Sequence, residues 1–148
     1  MVSGRRQRKV MGIFEASVRR SLEVLRQGQK FGIVSTGVYW EEALSRGVTG
    51  MDLEDAEERF AGVTTTGLNA TELHERPEED VRTRLKDATR RLLGQGSIGA
   101  LCLGCAGMMG MDKTVREACE EELGKKDGAK VEIVDGVAAA LHLIAEMF

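Results

Sequence analysis

A chain of 148 residues, 42% of them hydrophobic, holds enough apolar side chains for the core of one domain but hardly for two. Lys and Arg number 21 against 24 Asp and Glu, and the net charge of -3 is mixed in sign along the chain, so nothing favours a polyanion and no nucleic-acid partner is expected. No apolar stretch approaches the ~20 residues that cross a bilayer, and the basic start GRRQRK leads into no signal-peptide core, so no membrane is expected and the chain reads as cytoplasmic.

The first periodic segment, GIFEASVRRSLEVLRQG, reads as a helix over residues 12 to 27. It precedes every strand signal, which is odd for an alternating fold, and residues 1 to 10 are too basic and short to supply an earlier strand. The start therefore looks cut. Four apolar runs follow, each ending in small residues and a glycine: FGIVSTG (31 to 37), FAGVTTTG (60 to 67), IGALCLGCAG (98 to 107) and VEIVDG (131 to 136). Their continuous apolar character predicts strands over 31–36, 60–65, 98–104 and 131–134, covered on both faces as in a parallel sheet with crossover helices. Between the second and third runs, Pro77, a first turn of acids, a last turn of arginines and Gly94 delimit a helix. Val81, Leu85, Ala88 and Leu92 share one face of it. Residues 108–123 and 137–147 also have helical spacing, the latter through Val137, Leu141 and Ile144. The fold class is α/β, three-layered, with a four-stranded parallel sheet.

In open α/β sheets ligands bind at the carboxyl edge of the strands. Ser35, Thr36, Thr65, Thr66, Cys105 and Asp135 all fall there, with Gly37, Gly67, Gly107 and Gly136 beside them. Hydroxyls, uncovered N–H groups and helix amino ends make a donor-lined pocket suited to a carboxylate, an enolate or a phosphate. Each Ser or Thr alone is better explained as a turn or cap residue, and it is the coincidence of four that carries weight. Cys105 is the sharpest signal. A thiol at a helix start has a stabilised thiolate and works as base or nucleophile, whereas a free cysteine packed in a core is inert, and both readings stand for Cys105. Cys102, inside the apolar part of the strand, reads as core, and Cys119 as structural. His74 reads as a solvent contact, His142 lies on the last helix, and GMMGM reads as packing. Tyr39 and Trp40 either close over a small ligand or anchor a helix, and the anchor is favoured. Cys102 and Cys105 lack the second pair of ligands a zinc site needs, and no Walker loop, dinucleotide fingerprint or serine-hydrolase elbow is present, so no metal and no cofactor are expected.

GIFEAS, FGIVSTGVYWEEAL, FAGVTTTGLNATELH, LGCAGM and VEIVDGVAAAL, in this order, resemble the aspartate/glutamate/hydantoin racemase superfamily, and specifically its fungal hydantoin and allantoin racemase-like branch. The resemblance runs from about Gly12 to the end of the chain. It implies two similar flavodoxin-like α/β lobes with the active site between them, and proton transfer by one cysteine from each lobe without a cofactor. Cys105 in LGCAGM is implied as the catalytic thiol, with Ala106 and Gly107 as backbone donors and Gly104 beside them in the substrate-binding set. Ser35, Thr36 and Gly37 match a substrate-facing loop, Thr65 and Thr66 lie on the same edge, and Glu15 belongs to the GI.EA motif near the cleft. Inversion at a carbon beside a carbonyl needs a base on one face and an acid on the other, and no cysteine precedes Cys102 here. The resemblance thus implies residues 1–30 as a remnant of the first lobe, 31–136 as the second lobe, and 137–148 as a helix returning to the first. The expected function is racemisation of a hydantoin-like or amino-acid-derived small molecule, impaired by the missing thiol. The alternative is a non-catalytic small-anion binding domain or an inactive truncated product. Homo-oligomerisation is left open.

Overall fold

The computed structural model describes residues 13–50, 56–104, 111–134 and 145. In chain order these form α1 (Ile13–Val24), β1 (Lys30–Ser35), α2 (Tyr39–Gly50), α3 (Ala56–Arg59), β2 (Phe60–Thr65), α4 (Ala70–Glu75), α5 (Glu78–Leu93), β3 (Ile98–Leu103), α6 (Asp112–Leu123), α7 (Lys125–Gly128) and β4 (Glu132–Val134). The four strands pair in parallel in the order β2-β1-β3-β4. All four expected strands are present within a residue or two of their predicted limits. The short helices α3, α4 and α7 are additions that a periodicity of two or three turns could not reveal.

Because side chains alternate across a strand, each buried strand feeds two cores. On one face Val34 and Leu101 pack with Val81, Leu85, Ala88 and Leu92 of α5 and Val115 and Cys119 of α6. The predicted stripe of α5 is the buried one. On the other face Phe31, Ile33, Ala100, Cys102 and Val134 pack with Ala16 and Val18 of α1 and Leu44 and Val48 of α2. The opening helix, which the resemblance implied as a remnant of the first lobe, packs on this face of the sheet. Its Ser17 and Ser21 are buried too: Ser21 Oγ lies 2.9 Å from Cys102 Sγ, and Ser21 Oγ donates to the Ser17 carbonyl at 2.7 Å. The closing helix expected over 137–147 falls outside the described residues, except that Ala145 is helical.

One irregularity bears directly on the carboxyl edge. Phe31 stands opposite Phe60 but Gly32 opposite Gly62, so the β1–β2 register steps over Ala61. Gly62 takes φ +133°, a conformation that side chains disfavour, to accommodate the extra residue. Without that step Ser35 would face Thr64. With it, Ser35 faces Thr65.

Candidate active site

The strand order reverses direction between β1 and β3, and in open α/β sheets the carboxyl ends of the strands at such a switch point are where ligands bind. Three chain segments arrive there. β1 ends in Ser35, followed by Thr36 and Gly37, and turns into α2 through hydrogen bonds from the Trp40 N–H to the Gly37 carbonyl (2.9 Å) and from the Glu41 N–H to the Val38 carbonyl (3.0 Å). β2 ends in Thr65, and β3 leads into Gly104, whose N–H donates to the Val34 carbonyl at 2.8 Å.

The hydroxyls that sequence treated alike have separate duties. Thr66 is architectural: its Oγ1 donates to the Thr36 carbonyl (3.0 Å) and accepts from the Leu68 N–H (3.2 Å), while the Gly67 N–H donates to the same Thr36 carbonyl (3.0 Å). That turn ties the ends of β1 and β2 together and fully buries the Thr36 residue. Thr65 Oγ1 donates to Glu41 Oε2 at 2.6 Å, and its carbonyl accepts from Arg91 Nη2 at 2.8 Å. Ser35 differs from both. It is fully buried, and among the described residues its Oγ is the one buried side-chain oxygen without a hydrogen-bond partner. An unmade hydrogen bond of this kind costs about 1–3 kcal/mol, which a purely structural position would have no reason to retain.

Ser35, Thr65 and Gly104 converge on one side of the sheet. Ser35 is two residues beyond Ile33 and so shares its α1/α2 face, and Thr65 reaches Glu41 on α2. A Cβ on Gly104 would meet Ile33 Cγ2 at 2.9 Å, Leu44 Cδ1 at 3.0 Å and Ser35 Cβ at 3.1 Å. Glycine at 104 therefore lets the backbone pass beside Ser35 on its way to residue 105. Glu15 stands in the first turn of α1, half-buried, accepting from Arg19 Nε at 3.1 Å. Cys105, Ala106, Gly107 and Asp135 lie outside the described residues.

The other two thiols are held protonated. Burial pushes Cys102 up to about 12 from its ordinary 9.0, against a smaller lowering by the Ser21 hydrogen bond. Burial likewise pushes Cys119 up to about 11, with Arg116 acting the other way. Neither is a thiolate near neutral pH, in keeping with their reading as core residues. His74 is exposed, as expected. Tyr39 and Trp40 are not anchors. They are 75% and 40% exposed and stack edge to face at 5.2 Å, because the buried stripe of α2 runs through Leu44 and Val48 and leaves its first turn outside the core. Glu41 is the residue that sequence reasoning missed. Its signal was an acid in the first turn after a strand-end hydroxyl segment, which reads as a generic helix-start acid.

Among the described residues no three His, Cys, Asp or Glu side chains gather as a metal ion would require, and no helix is long and apolar enough to cross a membrane. A cavity of about 270 Å³ lined by Gln29, Ser97, Gly99, Lys130 and others opens at the opposite, amino edge of the sheet, away from the groups above.

Residues 8–144 match the family described as Asp/Glu/Hydantoin racemase. Two Schizosaccharomyces pombe proteins, "Uncharacterized protein C1F7.10" and "Uncharacterized protein C576.02", are 32% and 30% identical over 92% and 91% of this chain. Allantoin racemases from Pseudomonas fluorescens and Klebsiella pneumoniae superpose with TM-scores of 0.69 and 0.68 at 24% and 22% identity, over 91% and 93% of this chain, and so share its fold. The chain spans about half the length of all four: 52% of each fission-yeast protein, and 50% and 49% of the two racemases. With a four-stranded parallel α/β sheet and a family match along nearly its whole length, the chain belongs to the Asp/Glu/hydantoin racemase family.

Proposed function

We propose that the carboxyl edge of β1, β2 and β3 binds a hydantoin-like or other amino-acid-derived small molecule, and that Cys105 moves the proton on its stereogenic carbon, in the cytoplasm and without a cofactor. The observation that carries this reading is the fully buried, unpartnered Ser35 hydroxyl beside Gly104, one residue before the thiol. A donor kept dry and unused has its partner in a ligand, and a carbonyl oxygen whose charge grows as the adjacent carbon loses its proton is the partner such a group serves best. The S-T-G segment is the substrate-facing loop, with Thr36 and Thr66 holding its shape and the backbone of Ala106 and Gly107 completing the donors.

One edge thiol handles one face of the carbon. A base and an acid on opposite faces are needed to invert it, and the cysteine that would act from the other face has no counterpart among these residues. The chain alone therefore exchanges the proton with solvent faster than it inverts configuration. The test follows an enantiopure 5-methylhydantoin in deuterated water, by loss of the C5 proton signal and by optical rotation, against the spontaneous rate. Exchange above that rate with configuration largely retained, lost in Cys105→Ala and kept in Cys119→Ala, is the expected result. Exchange that survives loss of Cys105 overturns the assignment of the thiol, and inversion keeping pace with exchange overturns the one-face account.

A further inference from the structure

We infer that Glu41 determines which substrates this edge accepts, selecting molecules that present N–H donors and turning away carboxylates. This rests on the reading of the edge as the substrate site. It comes from a second set of observations, however: the Glu41–Thr65 pair and the register that brings it beside Ser35.

Glu41 is held by its partner. Thr65 Oγ1 donates to Glu41 Oε2 at 2.6 Å, Thr65 is 3% exposed, and its own position is set by the Ala61–Gly62 irregularity that moves it opposite Ser35. The carboxylate is thus fixed against the end of β2, in the first turn of a helix whose amino end favours negative charge. It is half-buried, and Oε1 has no described partner. The site consequently has two unlike elements on one face: an unpartnered hydroxyl at Ser35, and a fixed acceptor at Glu41 with capacity to spare.

A ligand that satisfies both offers an oxygen to the hydroxyl and an N–H to the carboxylate. A cyclic amide or ureide does this with adjacent atoms of one planar group. A free carboxylate meets an aligned negative charge instead, and the amino end of α2 offers it little, since the fixed Glu41 carboxylate already occupies that turn, whereas Glu42 is exposed and paired with Arg46. The same argument weighs against a general small-anion binding site.

The experiment measures, by calorimetric titration of the full chain, the affinity for hydantoin and for N-carbamoylglycine, the carboxylate formed by opening its ring. The wild-type chain is expected to prefer hydantoin by about tenfold or more, and Glu41→Gln to shrink that preference to about threefold or less. Glutamine keeps an acceptor for Thr65, so the local structure survives. Glu42→Gln removes the same charge one residue along, on an exposed side chain, and is expected to leave the ratio as it was. A preference for hydantoin that Glu41→Gln leaves intact, or that Glu42→Gln reduces equally, overturns the role of Glu41 while the substrate site stands. Failure of the wild-type chain to bind either compound overturns the substrate site itself and the inference with it.

Discussion

The two faces of the sheet are built from different materials. The face covered by α5 and α6 is packed with Leu85, Leu92, Leu101, Val81 and Val115. Its hydroxyls are spent locally, Thr64 Oγ1 on the Ala88 carbonyl and Thr89 Oγ1 on the Leu85 carbonyl, both at 2.8 Å. Arg82 and Lys86 of α5 reach Glu117 and Glu121 of α6 across the outer seam. The face covered by α1 and α2 mixes the rings of Phe14, Phe31 and Phe60 with small residues such as Ala16 and Ala100, sets its thiol beside two serines, and has at its carboxyl end an unpartnered hydroxyl and an oriented carboxylate. Both sides are apolar cores, and polar groups that cost stability are tolerated on one of them.

Truncating the aliphatic α5 face should produce the largest effect. Leu92 is completely buried against the sheet, and Leu92→Ala is expected to lower unfolding stability by about 3 kcal/mol through lost transfer energy and a residual cavity. That is a large share of the roughly 5–15 kcal/mol a domain possesses. Urea denaturation followed by circular dichroism measures it. A loss below about 1 kcal/mol would mean that the α5 face contributes little to cohesion.

Raising the pH tests both faces at once, because each holds one buried thiol. Cys102 and Cys119 are raised to about 12 and about 11 in the folded chain from an ordinary 9.0. A folded pKa above the unfolded one means that the stabilisation is whole below pH 9 and is lost as pH climbs through the folded values. Each thiol should contribute a slope of up to about 1.4 kcal/mol per pH unit in its window, Cys119 levelling off first. Cys102→Ala and Cys119→Ala should each remove their own share of the slope, read from urea midpoints between pH 8 and pH 11. A slope unchanged in Cys102→Ala would mean that its thiol is not desolvated.

How far this division shows in the sequence depends on what kind of interaction sets each part. The strands and the α5 stripe were legible because apolar runs and 3.6-residue spacing respond to burial alone, which neighbours in sequence report. The carboxyl edge was legible as a list of residues, since strand ends and glycines mark it. Their roles were not. Which of Ser35, Thr65 and Thr66 keeps a free hydroxyl depends on the one-residue step at Ala61, on a glutamate six residues past Ser35 and on an arginine from α5. These are contacts between elements, and no local pattern encodes them. Tyr39 and Trp40 mislead for the related reason that an aromatic side chain signals burial only when it lies on the stripe its helix turns toward the sheet.

The smallest effect should also be opposite in sign. If the α1/α2 face carries groups kept for a ligand rather than for the fold, then removing one of them should help the fold. Ser35 is the clearest case, because its hydroxyl is buried and bonded to nothing among the described residues. Ser35→Ala deletes one oxygen, leaves no unsatisfied partner behind, and opens a space far smaller than a methylene series would. It is expected to stabilise the chain by about 1 kcal/mol, the desolvation no longer incurred, while weakening hydantoin binding. Removing the Thr64 hydroxyl, which is bonded to the Ala88 carbonyl at 2.8 Å on the α5/α6 face, should instead destabilise by about 1 kcal/mol when made as Thr64→Val. Opposite signs for two buried hydroxyls, one strand apart and on opposite faces, would establish that the two sides of this sheet are under different demands. A Ser35→Ala chain that loses stability would show instead that its hydroxyl serves the fold, and the edge would then lose the donor on which its reading as a substrate site depends.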